Sequence, residues 1–171
     1  MVIRQAGEKD LKKIIEIFAE ARVTIASLGI DQWQDGYPTR EIVEEDLHLG
    51  RSYVTETDGK VCATYVLQLG GDSTYDVICG GEWLSGSENR NYLAVHRVAI
   101  SVCARGRGIA EKLMTYAAEY AKDKGLTSLR IDTHEGNVVM RRMLEKNGFA
   151  HCGTIYLLSG ASRVAYEKIV R

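Results

Sequence analysis

A glycine-containing loop between an apolar run and a helical pattern is the part of this sequence best suited to hold a ligand. Residues 98–110 read Val-Ala-Ile-Ser-Val-Cys-Ala-Arg-Gly-Arg-Gly-Ile-Ala. Apolar residues then recur at helical spacing, at Ile109, Leu113, Ala117 and Tyr120. A strand that turns through glycines into a helix leaves backbone N–H groups unpaired at the positive end of the helix dipole. The pattern therefore predicts a phosphate or pyrophosphate site.

The elements around this loop indicate a mixed α/β domain. Hydrophobic spacing, caps and turn residues predict the order β-α-α-β-β-β-α-β-α-β-β. The crossover helix after the central strand predicts at least one parallel strand pair. Residues 70–91 contain several glycines and fit no regular element. The predicted elements cover residues 2–5, 11–28, 39–50, 52–57, 60–68, 92–102, 108–124, 127–133, 137–147, 149–157 and 163–169.

Length and composition narrow the possible classes of protein. The 171 residues suit one domain, spanning 1–171, and the net charge of −1 argues against a nucleic-acid surface. No run is long enough to span a membrane, and the N-terminus lacks a signal-peptide pattern. The four cysteines are widely spaced, which predicts reduced thiols in a cytoplasmic protein and no metal site.

Two motifs resemble those of the GNAT (Gcn5-related) N-acetyltransferase family. Residues Arg105-Gly-Arg-Gly-Ile-Ala110 fit its Arg/Gln-x-x-Gly-x-Gly/Ala signature, and Asn137 with Leu144-Glu-Lys-Asn-Gly-Phe149 resembles a second family segment. The resemblance implies the acyl-CoA N-acyltransferase fold. This is a central, mostly antiparallel mixed sheet with a splayed parallel strand pair, flanked by helices. It also implies acetyl transfer from acetyl-coenzyme A to an amine.

The same resemblance implies which residues bind the coenzyme. Backbone groups of the central strand would bind the pantetheine arm, and amides of the glycine loop would bind the pyrophosphate. The glycines either allow close approach of the ligand or supply positive φ, and a simple tight turn is the alternative. Asn137 would contact the coenzyme, cap its helix, or do both. The implied set is Val98, Ala99, Ile100, Arg105, Gly106, Arg107, Gly108, Ile109, Ala110 and Asn137.

The sequence matches the family's catalytic side chains less completely than its coenzyme motifs. His96 aligns with a histidine of the arylalkylamine branch, and an imidazole can accept a proton directly or through water. The alternative is a packed, inert histidine. Ala94 stands where the histone-acetylating branch has glutamate, and Leu144 stands where the family has its tyrosine acid. Either another group protonates the leaving sulfur, with Tyr156 and His134 as candidates, or water does, or the thiolate leaves unassisted. Cys103 is interpreted as structural, because the family transfers the acyl group directly.

The acceptor pocket is expected in the loop at residues 30–38. Trp33 and Tyr37 could make cation–π contacts with an amine, and Asp31 or Asp35 could pair with it. Alternatively, the tryptophan seals the core. The expected function is transfer of acetyl to a primary amine of a small molecule or a peptide. The alternative is a catalytically silent acyl-CoA-binding or sensing module. A homodimer is compatible with either function, and no nucleic-acid or membrane partner is expected.

Overall fold

The computed structural model describes residues 1–170 and confirms the predicted order of elements. Within this range there are seven strands and four α-helices. In chain order these are β1 (Val2–Gln5), α1 (Leu11–Ser27), α2 (Arg40–His48), β2 (Ser52–Thr57), β3 (Lys60–Gln68), β4 (Tyr92–Ile100), α3 (Ile109–Asp123), β5 (Ser128–Thr133), α4 (Val138–Lys146), β6 (Ala150–Tyr156) and β7 (Ser162–Ile169).

The strands form a mixed sheet in the order β1-β2-β3-β4-β5-β7-β6. Neighbours β1–β2, β2–β3, β5–β7 and β6–β7 are antiparallel, whereas β4 and β5 are parallel. The parallel pair is joined by α3, as a crossover connection requires. Its pairing joins Tyr92–Ala94 to Ser128–Arg130, although β4 continues to Ile100 and β5 to Thr133. The predicted splayed pair is therefore confirmed.

Most element boundaries differ from the predicted ones by one or two residues, and two of these differences have a clear local cause. Strand β4 ends at Ile100 and not at residue 102, because Val102–Ala104 forms a 3-10 turn. The N–H of Ser101 still donates to the carbonyl of Cys62, at 2.9 Å. Helix α4 begins at Val138, because the preceding asparagine serves as its N-cap.

The chain divides into two compact units, and β4 and α3 each contribute to both. The first unit comprises Met1–Leu67 and Arg97–Leu113, and the second comprises Gln68–His96 and the chain from Met114 onward. In the first unit, α1 and α2 bury Ile14, Ile17, Phe18 and Val43 with Val54 and Ala99. In the second unit, Tyr75, Trp83 and Tyr92 pack with Ile155 and Ala165.

No helix within residues 1–170 combines the length and apolar character needed to cross a bilayer.

Candidate functional site

The loop between β4 and α3 turns through two glycines. Gly106 and Gly108 adopt φ values of 75° and 70°, in the left-handed region that favours glycine. A Cβ added at either glycine would meet no other atom within 4 Å. Glycine is therefore required at both positions by the backbone conformation and not by a lack of space for a side chain. The alternative of a tight glycine turn therefore describes the loop as the structure shows it.

Helix α3 begins directly after this turn. Its first backbone bond runs from the N–H of Lys112 to the carbonyl of Gly108, at 3.1 Å. The side chain of Ile109 is 2% exposed, which anchors the first turn in the core. The leading N–H groups of a helix have no intrahelical acceptor, so those of α3 suit a negatively charged ligand.

The loop is held to α1 at two points. The hydroxyl of Ser101 and the N–H of Val102 both donate to Oε2 of Glu20, each at 2.8 Å. These two bonds lower the pKa of the Glu20 carboxyl. One helical turn later, Thr24 Oγ1 accepts from Nη2 of Arg105 at 2.8 Å. The guanidinium of Arg105, expected to supply charge to a ligand, is thus bound to α1 in this structure, whereas Arg107 is exposed.

The last stretch of β4 starts from a strained residue. Arg97 adopts φ of 53°, which is uncommon for a residue with a side chain. Its Nε and Nη2 donate to the two oxygens of Asp46 at 2.9 and 2.7 Å, and its Nη1 donates to the Tyr37 hydroxyl. Asp46 also accepts from Arg51 at 2.6 Å. The ion pair therefore fixes the backbone immediately before Val98.

Charge pairing outweighs burial at this arginine. Burial would lower the pKa of Arg97, but the neighbouring Tyr37 and Asp46 raise it above its ordinary value. Sequence reasoning missed Asp46 because it reads as one acidic residue in the acidic helix α2. Arg97 lies 51 residues further along the chain, so no local pattern connects the two.

The predicted acceptor loop lies against α1. Trp33 packs edge-on against Phe18 with ring centroids 5.7 Å apart, and it borders the α1 core cluster. Tyr37 lies 6.4 Å from Trp33, and its N–H donates to Asp35 at 3.1 Å. Trp33 thus has the core-sealing contacts that were the alternative to an acceptor pocket. Asp31 is exposed.

His96 belongs to the second unit and lies in a polar cluster there. Its Nε2 is 3.0 Å from Oδ2 of Asp72, and its ring lies 5.7 Å from that of Tyr75. Burial alone would raise the pKa of the Asp72 carboxyl. Contact with His96 and hydrogen bonds from Thr74 nevertheless hold that pKa well below its usual range. Asp72 is therefore ionised at neutral pH and faces the imidazole.

Tyr75 completes this cluster as a buried hydrogen-bond donor. Its hydroxyl donates to Oδ1 of Asp132 at 2.7 Å. Burial, together with the charge of Asp132, raises the pKa of Tyr75 well above its ordinary value, so the phenol keeps its proton. Both Asp72 and Tyr75 come from residues 70–91. In the sequence, Asp72 has the signal of a turn cap ahead of Thr74 and no more. Its contact with His96 spans 24 residues, so no local pattern indicates it.

The remaining predicted residues occupy separate positions in the second unit. Asn137 accepts from the N–H of Met140 at 3.2 Å and so caps α4, as the alternative to a coenzyme contact proposed. Leu144 is completely buried, which makes it a core residue. His134 accepts from a backbone N–H through Nδ1, and Tyr156 is 54% exposed on β6.

In the first unit, Cys103 is exposed, with its sulfur 3.4 Å from the Ser101 hydroxyl oxygen. The first unit thus holds Val98 to Ala110 with Trp33 and Tyr37, while the second holds His96 and Asn137.

Comparison with known proteins points to one family. A family model described as the acetyltransferase (GNAT) family matches residues 11–149. A GNAT acetyltransferase structure from Streptococcus agalactiae is 37% identical with a TM-score of 0.88, and the match covers 99% of this chain and 95% of that one. The PaiA N-acetyltransferase from Thermoplasma acidophilum, solved in complex with coenzyme A, shares the fold. Its TM-score is 0.73 at 18% identity, with 98% of each chain covered.

Among curated proteins, an acetyltransferase of Agrobacterium fabrum is 32% identical over 89 residues, which is 52% of this chain and 62% of that protein. The chain spans less than two thirds of the length of the curated relatives it matches.

Proposed function

Because the chain belongs to the GNAT acetyltransferase family, a family of acyltransferase enzymes, we propose that it moves acetyl from acetyl-coenzyme A to a primary amine. The acceptor is proposed to be a small molecule or a peptide. The observation that carries the proposal is the left-handed turn at Gly106 and Gly108 directly before α3, because the first N–H groups of a helix have no intrahelical acceptor. This geometry suits the pyrophosphate of the coenzyme.

The coenzyme residues are proposed on the same basis. The amides of residues 105–110 would hold the pyrophosphate, and backbone groups of Val98, Ala99 and Ile100 would hydrogen-bond the pantetheine arm. The pairing of β4 with β5 stops at Ala94, which supports this use of the strand backbone. When bound, acetyl-coenzyme A supplies the thioester carbonyl that the amine attacks. An N–H of β4 would polarise that carbonyl.

His96 is proposed as the base that takes the amine proton. An alkyl ammonium group has a pKa of about 10.4, so a neutral attacking amine requires a proton acceptor near neutral pH. The Nε2 of His96 faces the ionised Asp72 at 3.0 Å, which leaves Nδ1 to accept the proton. Asp72 would hold the imidazole in position, as a carboxylate beside a catalytic histidine does.

The leaving thiolate receives no acid from the position where the family has tyrosine. Leu144 has no proton to donate, and it is fully buried. A thiol has a pKa of about 8.5, so the thiolate can leave unassisted and take its proton from water. The same observation favours the second candidate function, a silent acyl-CoA-binding module, because a binding protein needs no acid.

Turnover separates the two functions. Acetyl-coenzyme A is incubated with a panel of amino acids, polyamines, aminoglycosides and peptides, and the free thiol is measured. We expect acetylation of at least one class of amine. Coenzyme A binding with no amine consumed would establish the silent module instead.

The role of His96 is tested by His96→Ala, with His48→Ala on the exposed end of α2 as a matched control. We expect kcat to fall 10²- to 10⁴-fold in His96→Ala, the range typical of general-base catalysis, and the pH dependence of kcat to flatten. His48→Ala should behave as wild type. An unchanged rate and pH profile for His96→Ala would remove His96 from the mechanism.

A further inference from the structure

We infer that Glu20 of α1 is a positioning residue for coenzyme binding, because it holds the start of the glycine loop in its ligand-ready conformation. This inference rests on the proposed function, since it assumes that the loop binds the coenzyme pyrophosphate. Neither of the two sequence motifs includes Glu20, which lies 81 residues before Ser101. Its role follows from side-chain contacts within the first unit.

Glu20 binds the loop where β4 ends. One carboxylate oxygen, Oε2, accepts from the Ser101 hydroxyl and from the Val102 N–H, both at 2.8 Å. Ser101 is 2% exposed, and its N–H is bonded to Cys62 of β3. The 3-10 turn at Val102–Ala104 therefore starts from a backbone that is fixed on both sides.

The same face of α1 holds the other end of the turn. Thr24, four residues after Glu20, accepts from the guanidinium of Arg105 at 2.8 Å. Residues four apart lie on one face of a helix, so Glu20 and Thr24 form a pair of adjacent contacts. The three residues of the turn are thus bracketed by two contacts to α1. Gly106 and Gly108 follow directly, in left-handed conformations. Glycine has the greatest backbone freedom, so these two residues lose the most conformational entropy when the loop is ordered.

This arrangement would lower the entropy lost when the coenzyme binds. An unconstrained glycine loop must be ordered by its ligand, whereas a loop already held in place loses less conformational freedom on binding. The carboxylate itself is negative and would repel a pyrophosphate. Its use here is therefore explained by the two hydrogen bonds and not by its charge. Removing the bonds should weaken binding, and removing the charge alone should not.

The test compares Glu20→Ala, Glu20→Gln and Ser101→Ala with wild type. A matched control is Glu16→Ala, which removes the same charge from an exposed position one turn earlier on α1, where Glu16 bonds Lys13. Titration calorimetry measures the Kd for coenzyme A and, separately, for pantetheine, which lacks the pyrophosphate. Circular dichroism checks that each variant is folded.

We expect Glu20→Ala to raise the Kd for coenzyme A roughly tenfold, which corresponds to ~1.4 kcal/mol. Ser101→Ala, which removes one of the two bonds, should raise it about threefold. Both bonds go to the single oxygen Oε2, so the amide oxygen of Glu20→Gln can accept from Ser101 and from Val102, and this variant should stay within about twofold of wild type. Glu16→Ala should match wild type. The Kd for pantetheine should be the same in all five proteins, because the affected contacts lie at the pyrophosphate loop.

Three results would overturn the inference. An unchanged Kd for coenzyme A in folded Glu20→Ala would show that the contacts do not position the loop. Equal losses for coenzyme A and pantetheine would indicate a general structural role. If Glu20→Ala does not fold, Ser101→Ala serves as the test, and a wild-type Kd for coenzyme A in that variant overturns the inference. Failure of wild type to bind coenzyme A is distinct from all of these, because it refutes the proposed function itself.

Discussion

Loss of the buried carboxylate Glu167 should destabilise the fold by several kcal/mol. Glu167 on β7 and Arg130 on β5 have side chains with no exposure, and Nε of Arg130 donates to Oε1 at 3.0 Å. Glu167 also accepts from the hydroxyls of Ser128 and Ser85 at 2.5 and 2.6 Å, and from the Ser85 N–H at 3.1 Å. Four donors thus converge on one carboxylate that water does not reach.

The arginine of this pair is enclosed by aromatic rings. Its guanidinium lies 4.3 Å from the ring centroid of Trp83 and 4.1 Å from that of Tyr92. Its Nη2 donates to the carbonyl of Gly86 at 2.9 Å. These contacts bind residues 83–86 to the sheet, and the same irregular segment carries Asp72 and Tyr75. The ion pair therefore anchors the segment that faces His96.

The magnitude follows from the cost of leaving one buried charge alone. Removing one partner of a buried ion pair typically costs about 3–5 kcal/mol, whereas replacing both partners with apolar residues is often nearly neutral. We expect Arg130→Met and Glu167→Leu each to lower the free energy of unfolding by about 3–5 kcal/mol. The double variant should be destabilised by less than either single variant.

Urea unfolding followed by circular dichroism measures these free energies and completes a double-mutant cycle. Val139→Ala, on an exposed position of α4, serves as a surface control and should stay within about 0.5 kcal/mol of wild type. Simple additivity of the two single-variant effects would refute the reasoning, since it would mean that the two charges do not compensate each other.

The pH dependence of stability supplies an independent check. Burial would raise the pKa of Glu167, but hydrogen bonds from Ser128, Ser85 and Arg130 outweigh burial and lower it below the ordinary value of 4.5. A lowered pKa in the folded state contributes stability that is fully present above pH 4.5 and is lost as the pH falls through the folded-state value. The free energy of unfolding of Glu167→Gln should therefore fall less than that of wild type as the pH is lowered. An unchanged acid dependence would contradict the assigned direction of the pKa.

Three shorter predictions concern the site residues. Asn137→Ala should lower the free energy of unfolding by about 1 kcal/mol through loss of the α4 cap, and unchanged stability would contradict the cap. An added loss of coenzyme A affinity in calorimetry would support the proposed contact of Asn137 with the coenzyme. Gly108→Ala should cost about 1–2 kcal/mol in urea unfolding, because alanine disfavours φ of 70°, and a neutral effect would refute that conformation. Asp46→Asn should cost about 3 kcal/mol or more by the same assay, since Arg97 and Arg51 would lose a buried carboxylate; a loss below about 1 kcal/mol would contradict this.

Local patterns predicted the elements closely because each depends on nearby residues. The stop at Gly50 and the Asp58-Gly59 turn are read from a few adjacent side chains, and the structure has a helix end and a hairpin at these positions. The glycine loop was predicted for the same reason, since strand, turn and helix are consecutive. The predicted stripe of α3 was less accurate. Ala121 is buried, whereas Tyr120 is only partly buried.

The irregular segment at residues 70–91 shows where local reading fails. The segment contains only isolated turns, such as the bond from the Tyr75 N–H to the Asp72 carbonyl at 3.0 Å, so no periodicity places Trp83 or Asp72. Contacts with distant residues hold it on the sheet. Its Ser85 donates to Glu167 of β7, and Cys79 pairs with Thr154 of β6. Such contacts depend on which strands become neighbours.

By itself, the sequence determined the element order, the glycine loop and the presence of a histidine on the strand leading to it. These depend on interactions over a few residues, whose free energies follow from residue type and spacing. The tertiary structure decided which charges meet. It placed Asp72 against His96, Asp46 against Arg97, and Glu20 against the start of the loop. Those pairs are separated by 24 to 82 residues, and only the folded chain brings their side chains within hydrogen-bonding distance.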